Sequence, residues 1–112
     1  MSEYKPEEWC LVRITGTDPH YRVFGSWRGG YLNGDAWRLN SGIVSVKRSG
    51  GDNSDILEFH GNTGSIYYCN VNCQGIRSPY NMAELHRITE TEHAHVIDEM
   101  DINEIVEMDW SI

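Results

Sequence analysis

Residues 55–69 read DILEFHGNTGSIYYC. Over Asp55–His60 the side chains alternate, with Leu57 and Phe59 on one side and Glu58 and His60 on the other. Over Ser65–Cys69 they alternate again, Ile66 and Tyr68 opposing Tyr67 and Cys69. A period of two belongs to a pleated strand, whose successive side chains leave opposite faces. Gly61-Asn62-Thr63-Gly64 between the two runs has turn composition, so the stretch predicts a β-hairpin.

The same reading extends in both directions. Trp9–Ile14 alternates Cys10, Val12 and Ile14 against Trp9, Leu11 and Arg13, and stops at Gly16-Thr17-Asp18-Pro19. His20–Gly25 sets Tyr21 and Val23 against Arg22 and Phe24. Ile43–Lys47 is β-branched and ends at Ser49-Gly50-Gly51-Asp52-Asn53. Short strands at intervals of ~8–12 residues, punctuated by glycine-rich turns, predict a mainly β protein, a small antiparallel barrel or sandwich of SH3-like size. The expected helix is short, Tyr80–Arg87, opened by Ser78 as N-cap and Pro79 in the first turn.

At 112 residues with 39% hydrophobic and 23% charged content, the chain reads as an ordinary globular domain rather than a disordered one. The first residues, MSEYKPEE, lack a basic region followed by an apolar run, and no apolar stretch approaches the ~20 residues that cross a bilayer. With three cysteines, an odd number, a reduced cytoplasmic setting without membrane contact is expected.

The net charge of −8 is localised. The nine Lys and Arg lie at or before Arg87 and are balanced there by nine acids, whereas residues 88–112 carry eight acids and no Lys or Arg. This predicts a neutral β-rich body over residues 1–88 and an acidic segment over 89–112. Over residues 96–110 the even positions give Val96, Met100, Ile102, Val106, Met108 and Trp110, interrupted only by Asp98 and Glu104, and odd positions are mostly acidic or polar. The alternation favours extended strands over a helix; such a strand either completes the body's sheet or serves as an arm that pairs with a partner's edge.

Ser26–Gly42 reads SWRGGYLNGDAWRLNSG, with two Trp-Arg pairs and a tyrosine set among glycines. Trp27, Tyr31 and Trp37 are expected at turns or strand ends. Two readings stand. The tryptophans close one end of a small core with Arg28 and Arg38 pointing outward, or the segment is a recognition surface in which aromatic faces stack a planar ring and guanidinium groups grip an anion. A nucleotide-like anion suits the second reading. Polynucleotide suits it less, because the body is neutral and the tail repels phosphate.

The runs Gly25–Ile43 and Phe59–Cys69, with the patterns WRGGYLxGDxWRLNSGI and FHGxxGSxYxC, resemble a group of short uncharacterised proteins encoded by tailed bacteriophages. The similar part spans roughly residues 9–75 and leaves the acidic end uncovered. The resemblance implies an accessory protein made in a bacterial cytoplasm during infection, acting against host defence by sequestering a nucleotide signal or occupying a host protein.

The candidate ligand-binding set is Trp27, Arg28, Tyr31, Trp37, Arg38, Ser41, His60, Asn62, Ser65 and Tyr67. The alternative is a protein–protein inhibitor whose acidic end mimics nucleic acid and engages a basic host surface with steep salt dependence. The two are compatible in a homo-oligomer joined through the terminal strand. A metal site would draw on Cys69 and Cys73 with Cys10, His60, His93 or His95, but Cys69 and Cys73 are spaced C-x-x-x-C and the histidines are scattered, so free thiols are the plainer reading. A Cys73–His60 nucleophile pair needs a lowered thiol pKa and an orienting group, and no phosphate-cradling loop of the G-x-x-x-x-G-K type is present. No cofactor is expected, and the balance leans away from an enzyme.

Overall fold

The computed structural model describes residues 2–16, 18–28, 36–51 and 53–110. Its strands are β1 (Glu3–Tyr4), β2 (Glu8–Ile14), β3 (His20–Trp27), β4 (Ala36–Leu39), β5 (Ile43–Arg48), β6 (Ile56–Gly61), β7 (Ile66–Asn70) and β8 (Ala94–Val96). Helices are α1 (Pro79–Thr91) and α2 (Ile102–Glu107), and one 3-10 turn covers Val71–Cys73.

The hairpin read from residues 55–69 is β6–β7. Leu57 stands opposite Cys69 and Phe59 opposite Tyr67, so the four inward side chains form two cross-strand pairs on one face. Around it the strands form two four-stranded sheets, ordered β1-β7-β6-β5 and β4-β3-β2-β8. The fold is therefore mainly β and sandwich-like, and the sheets do not close into a barrel. Antiparallel pairing prevails, while β1 runs parallel to β7 through Glu3↔Ile66 and Tyr4↔Tyr67.

Strand β2 explains the layering. Its odd residues Trp9 and Leu11 pack between the sheets with Tyr21, Val23, Leu57, Phe59, Tyr67 and Cys69. Its even residues Cys10, Val12 and Ile14 pack on the other side with Phe24 and with Leu85 and Ile88 of α1. A strand buried on both faces needs apolar residues at consecutive positions, as the run WCLV supplies. Trp9 is fully buried and its indole Nε1 donates to the Asn70 carbonyl at 2.6 Å, so the large side chain enters the core without an orphaned donor.

Helix α1 begins as its sequence predicts. Ser78 caps it by accepting from the Asn81 amide at 3.2 Å, and Pro79 occupies the first turn. It runs four residues beyond the expected Arg87, to Thr91, because Ile88 is still buried against the sheet, and it stops where His93 takes a positive φ of 51°.

The acidic end departs from expectation. It is extended at β8, where Val12↔Val96 and Ile14↔Ala94 add a strand to the central sheet of the same chain. Over 102–107 it is instead helical, so the purely extended reading of residues 96–110 is corrected, and α1 is not the single helix expected. Asp101 caps α2 in a capping box with Glu104, and Ile105 is driven into the inter-sheet core alongside Trp110. No helix among the described residues is long and apolar enough to cross a membrane.

Candidate functional site

The ten residues singled out for ligand binding fall in separate places. Tyr31 lies outside the described residues. Trp27, at the end of β3, faces the inter-sheet side, where its ring meets Tyr4 edge-on at 6.5 Å and its Nε1 donates to the Lys5 carbonyl. Tyr4 also packs on Tyr67 at 4.9 Å, and the Arg38 guanidinium lies 4.5 Å from the Tyr4 ring centroid. Trp27, Arg38 and Tyr67 are thus brought together, but through Tyr4, and they form a packed cluster. Gly25 permits this packing: a Cβ there would sit 3.1 Å from Pro6 Cβ and 3.3 Å from Trp27 Cη2. Burial pushes the Tyr67 hydroxyl well above the ordinary tyrosine range, with Arg38 opposing the shift.

Trp37 lies on the opposite face of the same sheet. It stacks on Phe24 with ring centroids 5.5 Å apart and planes 10° apart, on the helix side. Strand alternation divides the two Trp-Arg pairs, since Trp37 pairs with Ser26 in register while Arg38 pairs with Gly25. Arg28 goes elsewhere again, with Nη2 3.4 Å from the buried Glu8 carboxylate, which also receives Arg77. His60 leaves the outer face of its sheet and meets Glu58 at 3.1 Å, and Ser65 belongs to the hairpin turn, its carbonyl accepting from Gly61 N.

Ser41 and Asn62 do converge. The Ser41 hydroxyl donates to Asn62 Oδ1 and lies 3.1 Å from the Thr63 hydroxyl. Two local features hold them there. Asn40 is buried and locks the end of β4, its backbone N–H donating to the Val23 carbonyl and its side-chain Oδ1 accepting from the Val23 N–H at 2.8 Å. Gly42 then turns the chain with φ 148°, and its carbonyl accepts from the Asn62 amide at 2.9 Å. A Cβ at Gly42 would stand 3.1 Å from Asn62 Nδ2 and 3.6 Å from His20 Cδ2, so glycine is what lets those side chains approach.

His20 brings in residues that the sequence reading placed on a strand without a role. Its Nδ1 is 2.6 Å from the Asp18 carbonyl and its Nε2 is 2.9 Å from Arg22 Nε. A carbonyl only accepts and a guanidinium only donates, so the proton sits on Nδ1 and Nε2 offers its lone pair to Arg22. Arg22 is thereby oriented through Nε, and among the described residues no hydrogen bond takes up its terminal Nη groups. Among the described residues it enters no ion pair. An open groove of about 350 Å³ collects Asp18, His20, Arg22, Ser41, Val44 and Asn62. Val44 is 54% exposed and gives it an apolar wall. Positions 20 and 22 lie two apart on one strand face, a signal present in the sequence.

The thiols are poorly placed for chemistry. Burial pushes Cys10 up to about 12 and Cys69 well above its ordinary value, which leaves little thiolate at neutral pH. Cys73 packs against the inter-sheet core, while His60 points from the outer face, so that proposed pair is not assembled. His93 forms the turn before β8, its carbonyl accepting from Thr15 N and Oγ1. Among the described residues no three His, Cys, Asp or Glu side chains cluster closely enough to hold a metal ion.

The arrangement is thus a two-sheet β-sandwich with one helical layer and a cation-bearing polar groove at one end. No protein-family model, curated protein or solved structure matches the chain.

Proposed function

We propose that this chain is a non-catalytic binding protein that holds a small nucleotide-like anion in the groove formed by His20, Arg22, Ser41 and Asn62. The observation that carries the reading is Arg22, whose guanidinium is oriented by His20 and has no carboxylate partner among the described residues. A fixed guanidinium with spare donors suits a phosphate oxygen pair, since bidentate charge-assisted bonds gain from orientation. The Ser41 hydroxyl and the Asn62 side-chain amide supply further polar contacts. The Asp18 carboxylate on the same rim favours a ligand that also carries hydroxyl donors, such as a ribose, over a bare polyanion.

The resemblance of residues 9–75 to tailed-phage proteins supports placing this activity in a bacterial cytoplasm, as an accessory protein that withholds a nucleotide signal from host defence. Amide chemical-shift titration with AMP, adenosine and inorganic phosphate tests the reading. AMP should shift amides of residues 18, 20–22, 41–44 and 62–63, phosphate should shift a subset, and adenosine should bind far more weakly. Equal shifts from AMP and adenosine would remove the anion from the reading.

A further inference from the structure

Met82, Leu85, His86 and Thr89 follow one face of α1 and look across an open groove of about 400 Å³ at the segment Val96–Glu99. Cys10 and Ile76 extend its apolar floor. Met82 and Val96 are 51% and 43% exposed, so both walls hold large apolar side chains in water. Scattered exposed apolar residues are ordinary; two that face each other across a groove make a continuous patch of the kind that covers itself with a partner.

Charge defines the partner. Asp98 and Glu99 line the groove, Glu90 stands 3.3 Å from His86 on its helical wall, and residues 88–112 contain no Lys or Arg. The bases nearest in sequence to the helical wall, Arg77 and Arg87, are already paired with Glu8 and Glu84. Beside the groove, β8 ends the order β4-β3-β2-β8, so among the described residues its outer edge has no strand partner. Val96 shares a sheet face with Val12 through their pairing, which is the face that α1 covers. A strand added to β8 would therefore send alternate side chains toward the groove.

We propose that this groove and the β8 edge bind an extended segment of another protein in which aliphatic residues alternate with Lys or Arg. The aliphatic side chains enter between Met82 and Val96, and flexible cationic ones at the end of the added strand reach Asp98 and Glu99, which lie just beyond β8. A second copy of this chain is disfavoured as the occupant, because each copy carries a net charge of −8 and docking sets like charges against each other. The proposal is independent of the anion groove.

The test uses the full chain and a blocked peptide of alternating lysine and valine, with a glutamate-for-lysine peptide as control. Binding is read by amide shifts and by anisotropy at low and high salt. The lysine peptide should shift amides of 82–89 and 94–99, and its affinity should fall about tenfold in Met82→Ser/Val96→Ser and again in Asp98→Lys/Glu99→Lys, both variants keeping wild-type melting temperature. Three results overturn the proposal: no localised shifts; shifts spread along the acidic end that survive Met82→Ser/Val96→Ser; or a dimer in sedimentation that Met82→Ser/Val96→Ser dissolves, which would make a second copy the occupant.

Discussion

Trp110 meets Phe59 edge-on, their ring centroids 6.0 Å apart and their planes at 89°, and it meets Tyr21 in the same way at 5.0 Å. The acidic end of the chain thus supplies a piece of the core that the two sheets begin. Trp110 Nε1 donates to the Ile105 carbonyl at 3.2 Å, which ties the ring to α2.

Removing that ring leaves a void between the sheets. Trp110→Ala should cost about 3–5 kcal/mol of unfolding free energy, the range for truncating a large buried aromatic. Urea unfolding gives the number directly, and a loss below about 1 kcal/mol would mean that the acidic end is not part of the core.

Gly42 turns the chain beside the groove of His20, Arg22, Ser41 and Asn62. Gly42→Ala forces a side chain into φ 148° and places a Cβ 3.1 Å from Asn62 Nδ2, so stability should fall by about 1–3 kcal/mol. The Asn62 and His20 amide signals should move in the same variant. Unchanged spectra around residues 20 and 62 would show that these side chains do not meet at Gly42.

The buried thiols make the fold sensitive to alkali. Burial raises Cys10 in the folded chain from an ordinary 9.0 to about 12. A raised value means that the folded state keeps its proton while the unfolded state releases it. The stabilising contribution is therefore complete below about pH 9 and lost progressively as pH climbs toward 12, at roughly 1.4 kcal/mol per pH unit for one such group. Unfolding midpoints between pH 7.5 and pH 10.5 should fall, and Cys10→Ala should flatten the slope relative to its own value at neutral pH. A Cys10→Ala profile parallel to wild type would contradict the burial assigned to this thiol.

Arg22 and Arg38 separate the two places where the candidate residues gathered. Arg38 lies over the Tyr4 ring in a packed cluster, whereas Arg22 opens onto the groove with Ser41 and Asn62. AMP affinity should drop about tenfold or more in Arg22→Ala and stay within about twofold in Arg38→Ala, measured by calorimetry. The reverse pattern would move the site to the Trp27–Tyr4–Tyr67 cluster.

The strands were legible because their signal is local. Leu57, Phe59, Tyr67 and Cys69 alternate and do face inward, and the WCLV run does pack on both sides. α2 was masked by coincidence: apolar residues at even positions from 96 to 110 imitate a strand, and the D-x-x-E capping signal at Asp101 and Glu104 is short beside that alternation. What makes it helical is Ile105 entering a core assembled from distant strands. The candidate groove was half legible. Ser41 and Asn62 were singled out, but their meeting at Gly42 depends on how β5 and β6 pair. Trp37 and Arg38, adjacent in sequence and joined on one surface in the recognition reading, are parted by the same alternation that identified the strands.

Native mass spectrometry of wild type and Arg22→Ala, each mixed with AMP in excess, tests the anion-binding reading most directly. One AMP-sized addition is expected on wild type, lost on denaturation and strongly reduced in Arg22→Ala. Equal occupancy of the two proteins, or no addition to wild type in excess AMP, would contradict it.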